Sequence, residues 1–232
     1  MKTPILALLG ATLAVTAPGA FAAPKAAQEL SSKGNAKEAV QVQTALSEAG
    51  GTAKETNLGN LIADAVRQTG HAQVGLVPAD EITSKAQIAA GKTDPSAIVN
   101  TLHYADDPSD TVVVLNLTGA QLLKVAERSV SRAPEPFDGF LQVSGLQIRY
   151  RAGQTGETHV SLSGEGNDLD AGKTYRVAMT RPLSSGSLGY FQIWAQKDIA
   201  EDTGIPLAKS LDSYLSSHKT INSVVEGRVA TR

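Results

Sequence analysis

The chain has 232 residues, of which 41% are hydrophobic and 19% charged, with 21 Lys and Arg against 23 Asp and Glu and no cysteine. This composition is typical of a globular protein and argues against a disordered chain or a multi-pass membrane protein. The net charge of -2 provides no broad positive field for phosphate backbones, so we expect no nucleic-acid partner. Without cysteine, disulfides, thiolate nucleophiles and cysteine-ligated zinc sites are excluded.

The first 22 residues have the pattern of a secretory signal peptide. Lys2 supplies the positive start, an apolar stretch occupies residues 5–15, and residues 20–22 read Ala-Phe-Ala, a small-residue cleavage pattern. A membrane anchor needs roughly 20 unbroken apolar residues, whereas Pro18 and Gly19 interrupt this segment. We therefore expect residues 1–22 to be removed, leaving a secreted or periplasmic protein without a transmembrane segment.

Residues 23–51 are predicted to form an N-terminal extension, a tail followed by one modest helix near residues 39–46. The next helix is better defined, because apolar residues recur at helical spacing over residues 58–66. Asn57 is predicted to cap the start of this helix, and Gly70 to end it.

The middle of the chain contains a strand-to-helix unit. Residues 111–117 are rich in Val and Leu and predict a strand, and Thr118 with Gln121 forms a capping box that opens a helix through about residue 130. The other elements predicted beyond residue 70 are strands at 74–77, 140–150, 158–163, 175–180 and 224–229, and helices at 95–102 and 207–215. Helices and strands mix without regular alternation, which predicts one α+β domain over residues 52–232, with a mixed β-sheet flanked by helices.

The residues alone do not define a catalytic site. The four histidines lie far apart, without a partner at the spacing of a metal-binding pair. Asp106, Asp107 and Asp110 surround Pro108 and could hold a hard cation, but the ligand order of an EF-hand is missing, and a solvated acidic turn is the preferred interpretation. The serine-rich loop at 184–187 lacks the pattern of a phosphate-binding loop. We therefore expect no catalytic residue, no metal ligand and no cofactor.

Five segments resemble, in the same order, the C-terminal domain of the 5'-nucleotidase family, which includes periplasmic UDP-sugar hydrolases and surface ecto-5'-nucleotidases. The segments are ETNLGNLIADA at 55–65, VVLNLTGAQL at 113–122, GFLQVSGL at 139–146, KTYRVA at 173–178 and EGRV at 226–229. The resemblance extends over residues 52–229 and implies the fold of that domain.

In that family an N-terminal metallophosphoesterase domain holds two metal ions and cuts the phosphate ester, while the C-terminal domain grips the nucleoside. The metal-ligand motifs of the first domain are absent from this sequence, so the resemblance implies no catalytic residues here. It does imply candidate ligand contacts at Lys54, where relatives often have an arginine facing the phosphate, and at Asn57, Tyr104, Phe140 and Tyr190. A solvated lysine and a core phenylalanine are the alternatives for Lys54 and Phe140.

Several of the segments with which the family binds its substrate differ in this chain. The family's Asn-Gly-Gly-Gly-Ile-Arg turn corresponds to Pro-Ala-Asp-Glu-Ile-Thr at 78–83, where Asp80 and Glu81 would repel an anionic substrate that the arginine would attract. The family's Pro-Phe-Gly turn, which offers one stacking aromatic residue, appears here as Asp-Pro-Ser at 107–109. The family's other stacking aromatic residue and its Gly-Gly-Asp-Gly-Tyr loop correspond to residues 182–190, where Pro182 replaces the aromatic residue and Leu188 replaces the aspartate. We therefore do not expect a base sandwiched between two rings.

These observations predict an exported, stand-alone 5'-nucleotidase C-terminal-like domain that acts as a non-catalytic binding or structural module of the bacterial envelope. Two alternatives stay open. The domain could be the substrate-binding subunit of a nucleotide hydrolase whose metallophosphoesterase part is a separate chain, or a vestigial domain recruited for protein contacts. The candidate partners are accordingly a nucleotide or nucleoside, a separate metallophosphoesterase, and an envelope protein.

Overall fold

The fold is given by a computed structural model that describes residues 38–152, 158–164 and 166–232. The predicted signal peptide at 1–22 and most of the predicted N-terminal extension lie outside these residues. Within the described ranges, no helix combines the length and the hydrophobicity that crossing a bilayer requires.

Strands and helices alternate irregularly along the chain. In chain order, the strands are β1 (Val40–Val42), β2 (Leu46–Ser47), β3 (Val74–Pro78), β4 (Gln87–Ile88), β5 (Gly91–Thr93), β6 (Thr111–Thr118), β7 (Leu141–Ser144), β8 (Gln147–Ala152), β9 (Thr158–Gly164), β10 (Asn167–Asp168), β11 (Thr174–Thr180), β12 (Ile199–Pro206), β13 (Thr220–Ile221) and β14 (Val229–Thr231). The helices are α1 (Asn57–Thr69), α2 (Pro95–Val99), α3 (Gly119–Val130), α4 (Arg181–Ser184) and α5 (Leu207–Ser217).

A five-stranded mixed sheet in the order β12-β6-β11-β3-β7 separates two hydrophobic cores. Strands β3 and β11 run parallel, and the other neighbouring pairs are antiparallel. Along β6, Val113 and Leu115 point into the core beneath α3, whereas Val112 and Val114 point into the core beneath α1 and α5. The predicted α+β fold, with a mixed sheet flanked by helices, is therefore confirmed.

The predicted strand-to-helix unit is confirmed in detail. The Thr118 hydroxyl accepts a hydrogen bond from the Gln121 backbone N–H at 3.2 Å, and Gln121 Oε1 accepts one from the Thr118 N–H at 2.9 Å. This reciprocal bonding satisfies two backbone donors that the first turn of α3 would otherwise leave free. The helix ends at Val130, as predicted.

Two expectations near the N-terminal end were wrong. Instead of a helix, residues 39–46 contain β1 and the start of β2. Val40 and Val42 are buried while Gln41 is exposed, so the apolar period is two, and β1 gains partners from β5 and β13 that local sequence cannot reveal. The cap of α1 is Thr56 rather than Asn57, since the Thr56 hydroxyl accepts from the Gly59 N–H at 3.0 Å.

Two predicted strands also have different bounds. The strand expected over residues 140–150 is divided into β7 and β8 at Gly145, whose φ of 69° is a left-handed conformation that glycine adopts easily. The tail strand expected at 224–229 begins only at Val229, because the preceding backbone bonds to side chains near the start of α1 rather than to a strand.

The Gln142 side chain is fully buried and fastens the segment before α1 to the sheet. Its Oε1 accepts from the Thr56 N–H at 2.9 Å, and its Nε2 donates to the carbonyls of Gly51 and Lys54, both at 3.0 Å. A Cβ at Gly59 would lie only 2.4 Å from this side chain, so glycine there permits the close approach of helix and amide. One side chain thus positions both the candidate Lys54 and the start of α1.

We expect Thr118→Ala to lower the free energy of unfolding by about 0.5–2 kcal/mol, because it removes the hydroxyl that caps α3. Lys124→Ala, at an exposed position of the same helix, is the matched control and should stay within about 0.5 kcal/mol of the wild type. Denaturant titration measures both variants. An unchanged midpoint and m-value for Thr118→Ala would contradict the capping role.

We expect Gln142→Met to destabilise the fold by at least about 2 kcal/mol, since it fills similar space but removes the partner of three backbone groups, two of them in fully buried hydrogen bonds. Gln147→Met, an exposed change just beyond the β7–β8 turn, controls for the substitution itself. Equal stability of the two variants in denaturant would show that the amide of Gln142 does not fasten the segment.

Candidate functional site

The ends of several strands meet at one edge of the central sheet. The parallel strands β3 and β11 both end there, β6 begins there, and the turn at 79–81 and the loop at 103–110 cover this edge. Ligands commonly bind outside the carboxyl ends of parallel strands. An open cleft of ≈ 770 Å³ lies in this region, lined by Asn100, Leu102, His103, Tyr104, Ala105, Asp106, Asp107 and Pro108.

Tyr104 offers an exposed aromatic ring to this cleft. The side chain is 49% exposed, and its ring stacks on that of His103 with centroids 4.9 Å apart and an interplanar angle of 16°. The His103 backbone N–H donates to the Glu81 carbonyl at 2.8 Å, and His103 Nδ1 lies 3.1 Å from the Asp80 carbonyl. The stacked pair is therefore fixed to the turn that follows β3.

The rim of the cleft is acidic. Asp106 and Asp107 are exposed, and the Ser109 hydroxyl and N–H donate to Asp107 Oδ1 at 2.7 and 2.8 Å. These hydrogen bonds hold the pKa of Asp107 below its usual value, as expected for a charged group that orders a solvated turn. Across the strand ends, burial and the nearby Asp138 carboxylate raise the pKa of Asp80.

Beneath the rim, Glu81 and Asp110 are only 2% and 4% exposed. Burial is the main cause that raises the pKa of each, and the charge of Asp110 raises that of Glu81 further. Glu81 was expected to act as a charge that repels substrate, but its side chain is buried and does not line the cleft. A third buried carboxyl, Glu48, accepts from the Thr56 hydroxyl at 2.6 Å, and burial raises its pKa to about 7.

Phe140 and Tyr190 lie in the hydrophobic core rather than on a surface. The Tyr190 hydroxyl donates to the Gly139 carbonyl at 2.8 Å, and its ring stacks on Trp194 with centroids 5.5 Å apart. Burial raises the pKa of the Tyr190 hydroxyl far above its usual value. Both aromatic side chains are therefore packed against other residues of the domain, and neither presents a ring face to a ligand.

Lys54 and Asn57 lie at the start of α1. Lys54 is exposed, in agreement with the alternative of a solvated lysine. Asn57 is buried and holds three backbone groups, with Oδ1 accepting from Ser47 N–H at 2.8 Å and Nδ2 donating to the carbonyls of Ala45 at 2.8 Å and Ser223 at 3.2 Å. The five predicted contact residues thus lie in three places: Lys54 and Asn57 at the start of α1, Phe140 and Tyr190 in the hydrophobic core, and Tyr104 in the lining of the cleft.

The sequence did not reveal the proximity of Glu81 and Asp110. Glu81 comes shortly after the predicted strand at 74–77, and Asp110 comes directly before the predicted strand at 111–117. These positions were the available signal in the sequence, because the ends of neighbouring strands in a sheet lie close together. Among the residues that the structure describes, no group of three or more His, Cys, Asp or Glu side chains is placed to hold a metal ion. The site therefore provides aromatic stacking, carboxylate charge and buried carboxyl groups, and we assign no metal-dependent step to these residues.

Comparison with known proteins identifies the fold. A family model described as the 5'-nucleotidase C-terminal domain matches residues 32–196. A trifunctional nucleotide phosphoesterase of Bacillus subtilis is 25% identical over 187 residues, covering 76% of this chain and 12% of that protein. A 5'-nucleotidase of Bos taurus is 30% identical over 128 residues, covering 51% of this chain and 22% of that protein.

Solved structures agree with this assignment. A 5'-nucleotidase precursor from Thermus thermophilus superposes with a TM-score of 0.72 at 27% identity, over 88% of this chain and 41% of that one. An NAD nucleotidase from Haemophilus influenzae has the same fold, with a TM-score of 0.72 at 17% identity, over 89% of this chain and 40% of that one. The chain spans less than half the length of each of these relatives. It belongs to the 5'-nucleotidase family and corresponds to the C-terminal domain of its larger members.

Proposed function

We propose that this chain is an exported, non-catalytic member of the family that acts as a binding or structural module of the bacterial envelope. Export is supported by the signal-peptide pattern of residues 1–22. The non-catalytic role is supported above all by the charge of the strand-end cleft, where acidic side chains occupy the rim and Thr83 stands in place of the family's arginine.

The acidic rim disfavours the phosphorylated substrates that the names of the relatives imply. A phosphate placed about 6 Å from the Asp106 or Asp107 carboxylate would be repelled by roughly 1–3 kcal/mol per charge, depending on solvent exposure. The nearest histidine, His103, is engaged through its ring with the Asp80 carbonyl and the Tyr104 ring. An uncharged or cationic ligand, or a basic protein surface, fits this cleft better than a nucleotide.

A second candidate function is supported by Tyr104. Its exposed ring at the edge of an open cleft is suitable for stacking on a nucleobase. In that case the domain supplies base affinity to a metallophosphoesterase encoded as a separate chain, which would bring the metal ions and the groups that bind phosphate. The two functions differ in whether a nucleoside stabilises the isolated domain.

We expect the purified protein to release no phosphate from AMP, with or without added Mn²⁺ or Mg²⁺. The reason is that the described residues bring together no set of side chains able to position two metal ions and an attacking water. Phosphate release measured across gel-filtration fractions tests this expectation. Activity that follows the protein peak, and is missing from a parallel preparation of cells lacking the gene, would contradict the non-catalytic proposal.

The second candidate leads us to expect that adenosine raises the melting temperature more than AMP does, because both can stack on Tyr104 but only AMP brings charge to the acidic rim. Tyr104→Ala should abolish the shift. Phe191→Ala, which removes another exposed aromatic ring outside the cleft lining, should leave it unchanged.

Either of two results would contradict the second candidate. The first is the absence of any melting-temperature shift with adenosine or AMP, which would favour a docking role. The second is an equal loss of the shift in the Tyr104 and Phe191 variants, which would place the nucleoside away from the cleft.

A further inference from the structure

We propose that the domain has a second ligand site, in which Arg67 binds the carboxylate of a small hydroxylated acid of the hexuronic acid class. The site is a cleft of ≈ 330 Å³, lined by residues of α1, the β7–β8 turn, β9 and the segment before β14. It is separate from the cleft that Tyr104 lines, so the inference goes beyond the proposed function and does not depend on it.

The second cleft lies at the end of the central sheet opposite the loop at 103–110. Strand β3 begins here, where Gly75 pairs with Ser144 at the end of β7, and it runs from there to the edge that this loop covers. A strand of this length spans about 15 Å. The two clefts share no lining residue, so a ligand bound at Arg67 does not contact the acidic rim beside Tyr104.

The Arg67 side chain is held in one position on the wall of the second cleft. A Cβ at Gly75 would lie 2.8 Å from Arg67 Cβ, and a Cβ at Gly145 would lie 3.2 Å from Arg67 Cδ, so the two glycines leave the space that the arginine stem occupies. Arg67 Nε donates to the Ser144 hydroxyl at 2.7 Å. The guanidinium is therefore oriented before a ligand arrives, which lowers the entropic cost of binding.

Arg67 differs from the other arginine of the cleft in its partners. Both carboxylate oxygens of Asp64 bond to Arg228, at 2.7 and 3.0 Å, and Arg228 Nε donates to Glu226 at 2.8 Å. The buried Ser144 hydroxyl donates to Asp64 Oδ1 and accepts from Arg67. Arg228 is thus neutralised within the domain, whereas Arg67 reaches Asp64 only through a hydroxyl.

The two terminal nitrogens of Arg67 are available to a ligand. Within the described ranges, neither Nη1 nor Nη2 has a hydrogen-bond acceptor, and no carboxylate forms an ion pair with this guanidinium. Two such nitrogens on one side of a planar group match the two oxygens of a carboxylate or phosphate. The arrangement therefore favours an anionic group that approaches Arg67 from the cleft.

The neighbouring charges favour a carboxylate over a phosphate. Arg67 and Arg228 line the cleft together with Asp64 and Glu226, so the charges of these four side chains sum to zero. A single negative charge can pair with Arg67. The second charge of a phosphate monoester would meet two acidic side chains without a further cation to offset it.

The remaining lining suits hydroxyl groups. The Gln147 amide and the Ser163 hydroxyl line the cleft, and neither side chain forms a hydrogen bond within the part of the chain that the structure describes. An amide and a hydroxyl can each donate and accept, as sugar hydroxyls do. The cleft volume lies at the lower end of the range of about 300–1,000 Å³ for small-molecule sites, which fits an acid of monosaccharide size.

Calorimetric titration at low salt with glucuronate and galacturonate tests this site. Glucose and galactose are the uncharged counterparts, and glucose 6-phosphate is the phosphorylated one. The proteins are the natural chain, Arg67→Met, Arg132→Met and Tyr104→Ala. Methionine keeps an apolar stem and removes the charge, and Arg132 is an exposed arginine that lines neither cleft. Thermal unfolding without ligand verifies that all four proteins are folded.

We expect both hexuronates to bind about tenfold or more tightly than the uncharged sugars, which lack the group that pairs with Arg67. Glucose 6-phosphate should bind more weakly than the hexuronates. Arg67→Met should weaken hexuronate binding by about tenfold or more, the loss expected for a hydrogen-bonded charge pair. Arg132→Met and Tyr104→Ala should leave hexuronate binding unchanged.

Four results would overturn the proposal. Heat no greater than that of dilution with both hexuronates would show that the site does not bind them. Equal binding of hexuronates and uncharged sugars would remove the role of the carboxylate, and tighter binding of glucose 6-phosphate would assign the site to phosphate. Equal losses in Arg67→Met and either control variant would place the acid elsewhere. Adenosine is not used, so failure of the proposed function leaves these outcomes unaffected.

Discussion

The start of helix α1 is the junction on which the rest of the domain depends. The buried Glu55 carboxylate accepts from Asn60 Nδ2 at 2.7 Å and from the backbone N–H groups of Glu226 at 2.8 Å and Val229 at 3.3 Å. Thr56 and Asn57 then bind the segment at 45–48, while Gln142 in β7 binds the backbone on the other side. The region at 45–60 is therefore joined to two distant parts of the chain, β7 and residues 226–229, through polar contacts whose loss would leave buried polar groups without a partner.

This junction changes the meaning of the motif that carries the family resemblance. Every polar side chain from Glu55 to Asn60 has a hydrogen-bond partner within the domain, so the motif has a structural role irrespective of any ligand. Arg228 extends the same junction, since it pairs with Asp64 through two hydrogen bonds of 2.7 and 3.0 Å and donates to the Val143 carbonyl at 2.9 Å. A change of ligand would leave these contacts in place, so the motif identifies the fold of the domain and not its ligand.

The sequence predicted those features whose causes are local. The capping box of Thr118 and Gln121 needs only two residues and a helix, and the run of Val and Leu that predicted β6 suits a strand with a core on each of its faces. Strand β1 was missed because its three residues are stable only through β5 and β13. The neighbouring positions of Glu81 and Asp110 were missed for the same reason, since two acidic residues that flank different strands come together only when the order of strands in the sheet is known.

The loop after α4 and the loop that carries Tyr104 differ in how they are attached to the rest of the domain. The loop after α4 is locked, because Arg128 donates twice to the Leu188 carbonyl, at 3.0 and 2.6 Å, and Trp194 Nε1 donates to the Ser184 carbonyl at 2.9 Å. Tyr190 stacks on Trp194 within the core, so this loop cannot present an aromatic ring to a ligand without unpacking. The loop that carries Tyr104 is instead exposed over most of its length and is bonded to the rest of the domain near its two ends, at His103 and Asp110. We therefore expect this loop, rather than the loop after α4, to move when the cleft binds a ligand or partner. An arginine introduced at position 83 alone would still lie near an acidic rim, and it would not restore the second aromatic ring needed to sandwich a base.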